Sequence, residues 1–246
     1  FLPSKMHIAA GELPNTATLT IEPLHHGYGT TVGNALRRVL LSSLPGAAVT
    51  AVKIKGVQHE FQAIAGVKED VLDIVLALKQ LRMKVHADEA VTLKLVKKGE
   101  GPVTAADIEK NADVDIANTD LVLANITAAS TTLDMEITVS RGRGFLPTEE
   151  REEISADIGV MAIDALFSPV RQVSLKVENT RVGDITNYDK LIMNLETDGT
   201  IDPSEALEQA TKILINHFTW MQGQLSHASL TEQIVRATEE GPKNDE

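Results

Sequence analysis

Apolar and polar positions change period several times along this chain. Ala17, Leu19 and Ile21 alternate with Thr18 and Thr20, a period of two that predicts a half-buried strand. A break of the form Glu-Pro-Leu-His-His-Gly-Tyr-Gly follows, then a helical period from about Thr31 to Leu44, stopped by Pro45 and Gly46. Alternation resumes over Ala48–Lys55. Val67, Val71, Ile74, Val75 and Leu78 share one helical face within 67–79. Strands are predicted at 91–95, 133–139, 173–177 and 191–195. Between about Gly99 and Thr132, Ala, Asp, Asn and Thr dominate, which predicts loops with one short strand near Leu121. Arg141-Gly-Arg-Gly144 reads as a strand end and turn, Glu149–Asp157 as an acidic exposed loop, and Ile158–Leu166 as a short apolar stretch. Asp202-Pro203-Ser204-Glu205 opens a helix with an Asp cap, Pro at the first helical position and a carboxylate where a capping box needs one. Its period runs to about Met221. From Gln222 the sequence is polar with little period and reads as a flexible tail.

Strands and helices mix without regular βαβ alternation, so the pattern predicts an α+β fold rather than a doubly wound sheet. The strand-rich middle lies between the two best amphipathic helices. One arrangement that accounts for this is a discontinuous domain made from both chain ends, with the middle inserted as a second, mainly β domain.

Both end helices carry more apolar surface than one core uses. On a wheel, Val32, Ala35, Leu36, Val39, Leu40 and Leu44 cover half the circumference and Leu41 widens the arc. The apolar residues of Ala206–Met221 span roughly 220°, against about 100° or somewhat more for a helix lying on a single core. Each extra buried Leu or Phe is worth roughly 1.5–3 kcal/mol, so leaving several exposed invites association. Either the second face meets another protein or the helices lie between layers of their own chain.

Composition narrows this further. The 246 residues are 43% hydrophobic but only 3% aromatic, so the core must be aliphatic. A net charge of −12 repels a phosphate backbone and disfavours general DNA or RNA binding. The absence of cysteine excludes disulfides and thiolate metal sites and is compatible with a reducing cytoplasm. No stretch approaches the ~20 apolar residues of a membrane span, and the start is not that of a signal peptide. The chain is therefore expected in the cytoplasm, with no membrane association. Because it begins at Phe1 rather than Met, the numbering is expected to start inside the natural product.

Candidate chemistry is thin. Gly27-Tyr-Gly29 through Gly33 follows a strand and opens a helix, but a dinucleotide fingerprint needs its third glycine where Val32 stands, and the acidic residue about 20 positions on is missing. Asn34 after Gly33 also excludes the Gly-Lys-Ser/Thr of a phosphate loop. These glycines read as a tight turn and a close-packing site. Asn111-Ala-Asp113-Val-Asp115 begins like a Mg²⁺ loop of alternate carboxylates, but Ala117 stands where the third is needed and Ile116 where the glycine is, so a polar turn leading into a strand is expected. Adjacent His25 and His26 do not have ligand spacing. No catalytic residue, metal or cofactor is expected on this chain. Arg38 lies in the middle of the polar arc of its helix and Arg37 at the edge of the apolar one. An Arg pair is either a solvated face or an interface fork.

The run Glu22-Pro-Leu-His-His-Gly-Tyr-Gly-Thr-Thr-Val-Gly-Asn-Ala-Leu-Arg-Arg-Val-Leu-Leu-Ser-Ser-Leu-Pro-Gly46 strongly resembles the N-terminal region of the bacterial RNA polymerase alpha-subunit family. Collinear matches follow at Gly56–Glu60, Gly66–Asp70, Gly101–Ile108, Arg141–Phe145, Phe167–Val170 and from Asp189 through Thr197–Pro203, covering about Thr16 to Met221. The resemblance implies a dimerisation domain of 1–47 plus 169–222 with two long helices, an inserted β-rich domain at 48–168, and a tail at 223–246. It implies a homodimer with a second alpha chain, on which the beta and beta prime subunits of DNA-directed RNA polymerase, a nucleotidyltransferase, assemble for transcription. Omega and sigma would be reached only through the complex, with no direct DNA binding by these residues.

By position, the dimer interface is expected to use Leu36, Val39, Leu40, Leu207, Ala210, Leu214 and Phe218. Contact with beta or beta prime is expected from Arg38, Lys79, Ile163, Asp164 and Arg181. The alternative is a free-standing dimeric transcription regulator. His25-His26 departs from the charged residue usual in the family, and the acidic loop after Thr148 follows no fixed pattern. Members usually continue into a small DNA-binding domain. Because the sequence ends at Glu246, either that domain has been removed or the natural chain is short.

Overall fold

The structure, a computed structural model, describes residues 2–151, 159–183 and 185–239, with side-chain environments to residue 225. Its strands are β1 (Lys5–Ala10), β2 (Thr16–Leu24), β3 (Pro45–Ile54), β4 (Met83–Val85), β5 (Val91–Lys98), β6 (Gly101–Thr104), β7 (Val114–Ile116), β8 (Val122–Ile126), β9 (Thr132–Arg143), β10 (Phe145–Leu146), β11 (Val160–Ala162), β12 (Ala165–Leu166), β13 (Val170–Val182) and β14 (Ile185–Thr197). The helices are α1 (Tyr28–Ser42), α2 (Val71–Leu78) and α3 (Pro203–Glu239). The α+β expectation holds.

Two sheets organise these elements. The first has the order β1-β2-β14-β13, every pair antiparallel, and so joins both ends of the chain. Leu19, Leu191 and Met193 from its strands pack with Leu36 and Leu40 of α1 and Leu207 and Ala210 of α3. The second has the order β11-β3-β9-β5. One side of it packs on α2, β4 and β8 in a larger aliphatic core that includes Val52, Ile74, Leu78, Leu95, Leu123 and Ile137. Alternation puts the strand residues among these inside because successive side chains of a strand point to opposite faces, and helical spacing does the same for Ile74 and Leu78 of α2. A small cluster of Ala48, Ala165 and Phe167 lies where β3 pairs with β9. The two cores meet at an ion contact: Arg82 Nε lies 4.0 Å from Asp198 Oδ2, both side chains largely buried.

Several boundaries differ from the pattern. Gly99–Thr132 holds three short strands rather than one, because β6, β7 and β8 are too short to show a period. The Arg-Gly-Arg segment continues β9 to Arg143, and the turn falls at Gly144, whose φ is +64°. β1 has no match among the predicted strands; four of its six residues are exposed and its period is weak. α2 is only eight residues long, capped by Asp70, whose side chain accepts the Asp73 amide. Asp202 caps α3 through the Ser204 amide at 2.8 Å, while Glu205 accepts from Gln209 instead of closing the capping box. α3 runs on to Glu239, so most of the stretch that reads as a flexible tail is helical. The acidic stretch expected at Glu149–Asp157 falls largely outside the described residues. Among the described residues no helix is long and apolar enough to cross a membrane.

Candidate functional site

The glycine turn before α1 does hold an anion, but an internal one. Gly27 adopts a φ of +85°, which points successive amides the same way. Asp189, on β14, places Oδ2 2.9 Å from the Gly27 amide and 3.0 Å from the Gly29 amide. Its residue is 4% exposed. A carboxylate at a helix N-terminus satisfies orphan N–H groups and complements the helix dipole. The site that resembles a phosphate cradle is thus filled by the chain itself. Gly29 and Gly33 also let α1 lie close on the sheet: a Cβ at Gly33 would stand 2.9 Å from Leu191 Cδ1.

With α1 docked so closely, its apolar arc divides. Leu36 and Leu40, with Leu207 and Ala210 of α3, are buried in the chain's own core, and Val39 and Leu214 pack partly against it. Of the seven residues expected at a dimer interface, only Phe218 is widely open, at 60% exposure. The apolar surface left over lies further along α3, where Ile215, Trp220, Met221 and Leu225 are all more than half exposed. α1, α3 and the β1–β2 pair line an apolar groove of about 980 Å³ that includes Met6, Val32, Ala35, Ile215 and Phe218. The helix wheel places Ile215 in the apolar arc of α3 but could not assign it to the open side, because a wheel lacks the direction from which the sheet approaches.

The charged positions separate into distinct places. Arg38 is exposed on α1. Lys79, just after α2, donates to Asp164 at 3.1 Å, so these two expected contact residues are brought together. Asp164 also accepts the Thr148 amide at 3.0 Å; that bond first, then Lys79, holds its carboxyl below the usual range. Ile163, by contrast, is 1% exposed inside the larger core, so its side chain offers nothing to a partner. Arg181 lies on β13, near the β13–β14 turn, with Nε donating to the Gly183 carbonyl.

The remaining family-like words are structural devices. Glu69 clamps Asn125 through the amide at 2.6 Å and the side chain at 2.7 Å. Lys97 ties Asp107 and the Pro102 carbonyl, each at 2.7 Å. Gly142 faces the Phe167 ring, which a Cβ would approach to 2.5 Å. Asn111 makes a local turn by accepting the Asp113 amide, and Asp115 pairs with His86 at 2.9 Å, so the segment is a polar turn leading into β7. Two residues with large roles escaped the pattern: Asp189, whose partners are more than 150 positions away, and Arg151, whose guanidinium donates to the carbonyls of Thr50, Leu146 and Ile163. Asp189 opens a family-like word, but nothing local in the sequence shows what it binds, and Arg151 carries no local signal.

The family described as RNA polymerase Rpb3/RpoA insert domain matches residues 52–168. The DNA-directed RNA polymerase subunit alpha of Alkaliphilus oremlandii is 48% identical over 221 residues, 90% of this chain and 69% of that protein. That of Carboxydothermus hydrogenoformans is 49% identical over 220 residues, covering 89% and 70% of the two chains. That of Desulforamulus reducens is 48% identical over 237 residues, covering 96% and 75%.

Proposed function

The chain belongs to the bacterial DNA-directed RNA polymerase alpha-subunit family, and from that premise we propose that it acts as a homodimeric scaffold on which the beta and beta prime subunits assemble. As a member it is a non-catalytic subunit of a nucleotidyltransferase that transcribes DNA. We assign it to the cytoplasm, with no cofactor of its own, no direct DNA contact, and omega and sigma reached only through the complex.

The observation that carries the dimer reading is the open apolar groove between α1, α3 and the β1–β2 pair. A contiguous apolar patch beside exposed Phe218 and Trp220 is costly in water, and a second copy presenting the same α3 residues would cover it. In this reading 1–47 plus 169–222 form the discontinuous dimerisation domain with its two long helices, and 48–168 the insert. The sheet shared by both chain ends and the family match at 52–168 support that division.

Arg38 on the polar side of α1, and the Lys79–Asp164 pair with Arg181, are the surfaces assigned to the large subunits. An affinity pull-down with mass spectrometry tests the assignment. Two very large co-purifying chains are expected, and Arg38→Ala is expected to reduce recovery of beta. A chain that pulls down no large partner would remove the scaffold reading.

A further inference from the structure

We propose that the concave outer face of the second sheet, between β3 and β9 and below Phe145, binds a short acidic, extended peptide segment of a partner protein. The opposite side of this sheet is core; this side is a groove of about 550 Å³. Among the described residues, Lys53, Arg141, Arg143 and Arg151 line it together with one carboxylate, Glu136. Glu136 sits directly across from Lys53 on β3 and Lys94 on β5, so a cation flanks it on either side. Arg141 pairs with Asp88, a residue itself almost fully exposed, and among the described residues no carboxylate pairs with Arg143. Arg151 hydrogen-bonds only neutral carbonyls in the described structure and its buried Nε has no partner, although the nearby Asp164 carboxylate favours its charged form. Three carbonyls fix that guanidinium, and Asp164, which also accepts from Lys79 at 3.1 Å, is shared between the two cations and offsets the Arg151 charge only in part.

Among the described residues, the result is a groove with more basic than acidic side chains on a chain of net charge −12. That contrast selects the occupant. Charges more than roughly 8 Å away are largely screened at physiological salt, so a short acidic segment feels the groove rather than the chain as a whole. A polynucleotide extends past the groove and meets the negative surface along its length. Thr92 and Thr138 on the floor offer hydroxyls to an extended backbone, and Phe145 at the rim, 60% exposed, offers an apolar contact to a residue between two carboxylates.

The test is fluorescence anisotropy of the purified full chain with a labelled hexapeptide alternating Glu and Val. Saturable binding that weakens steeply with salt is expected, with a neutral Gln–Val peptide at least ten-fold weaker on the scale of a few charge-assisted contacts. Arg143→Glu is expected to weaken binding by about ten-fold, Glu136→Lys to tighten it, and Lys98→Glu, the same charge change outside the groove, to alter it less than about two-fold. Thermal melting checks that each variant is folded. Equal effects of Arg143→Glu and Lys98→Glu, no effect of Glu136→Lys, or tighter binding of a single-stranded oligonucleotide than of the acidic peptide would each overturn the proposal.

Discussion

The Asp189 carboxylate accepts the Gly29 amide at 3.0 Å while sitting on a strand 160 positions later in the chain. The same oxygen takes the Gly27 amide, so one side chain fixes the start of α1 to β14. Asp189→Ala leaves two donors facing a largely buried void and is expected to cost about 1–3 kcal/mol. Asp189→Asn, which keeps one acceptor oxygen, is expected to cost less. Urea denaturation measures both, and equal stability of Asp189→Ala and the parent would contradict this role.

Phe167 stands against Gly142 so closely that a methyl group there would meet the ring at 2.5 Å. Gly142→Ala is therefore expected to destabilise by about 1–3 kcal/mol through overpacking. Gly183→Ala has no neighbour to strike among the described residues and is expected to show only the smaller strain of its positive φ, +61°. A melting series compares the two, and the order should not reverse.

The division of the helices into core and open residues predicts two different phenotypes. Leu40→Ala, at 0% exposure, is expected to cost about 2–5 kcal/mol in folding. Ile215→Asp and Phe218→Asp, at exposed positions, are expected to leave the melting temperature of the monomer nearly unchanged and to shift light scattering from dimer toward monomer. A dimer that survives both aspartates would place the interface elsewhere.

Acid should weaken the insert core before the rest. The Thr148 amide and Lys79 lower Asp164. Burial works to raise Glu69 and Asp107, but the bonds from Asn125 to the first, and from Lys97 and Thr104 to the second, outweigh it and leave both lowered. A carboxylate with a folded pKa below its unfolded value stabilises above the unfolded value and loses that contribution as pH falls through the folded one. Stability is therefore expected to decline below about pH 4–5. Glu69→Gln should be less stable at pH 7 and show a shallower acid slope; an unchanged slope in urea titrations at pH 7 and pH 3.5 would contradict the assignment.

Periodicity and punctuation located α1, the middle helix, the start of α3 and the long strands, because each is amphipathic over enough residues to show its period. Three-residue strands such as β7 escaped, since three residues cannot distinguish alternation from chance. α3 passed its expected end because the pattern weakens after Met221 although the backbone stays helical. The family-like words were legible as words, but several of their residues are structural: Glu69, Asp107 and Gly142 serve neighbours within residues 52–168.

By itself, then, the sequence determined an aliphatic α+β chain with family-specific words, helices too apolar for one core, and glycines too irregular for a nucleotide loop. The tertiary structure decided what each of those features faces. An apolar residue on a helix is core or interface according to the side from which the sheet approaches, which sends Leu40 inward and Phe218 outward. A glycine turn aims its amides at whatever anion the fold delivers, and here that is Asp189. Both outcomes depend on contacts between residues far apart in the chain, and no local pattern encodes such contacts.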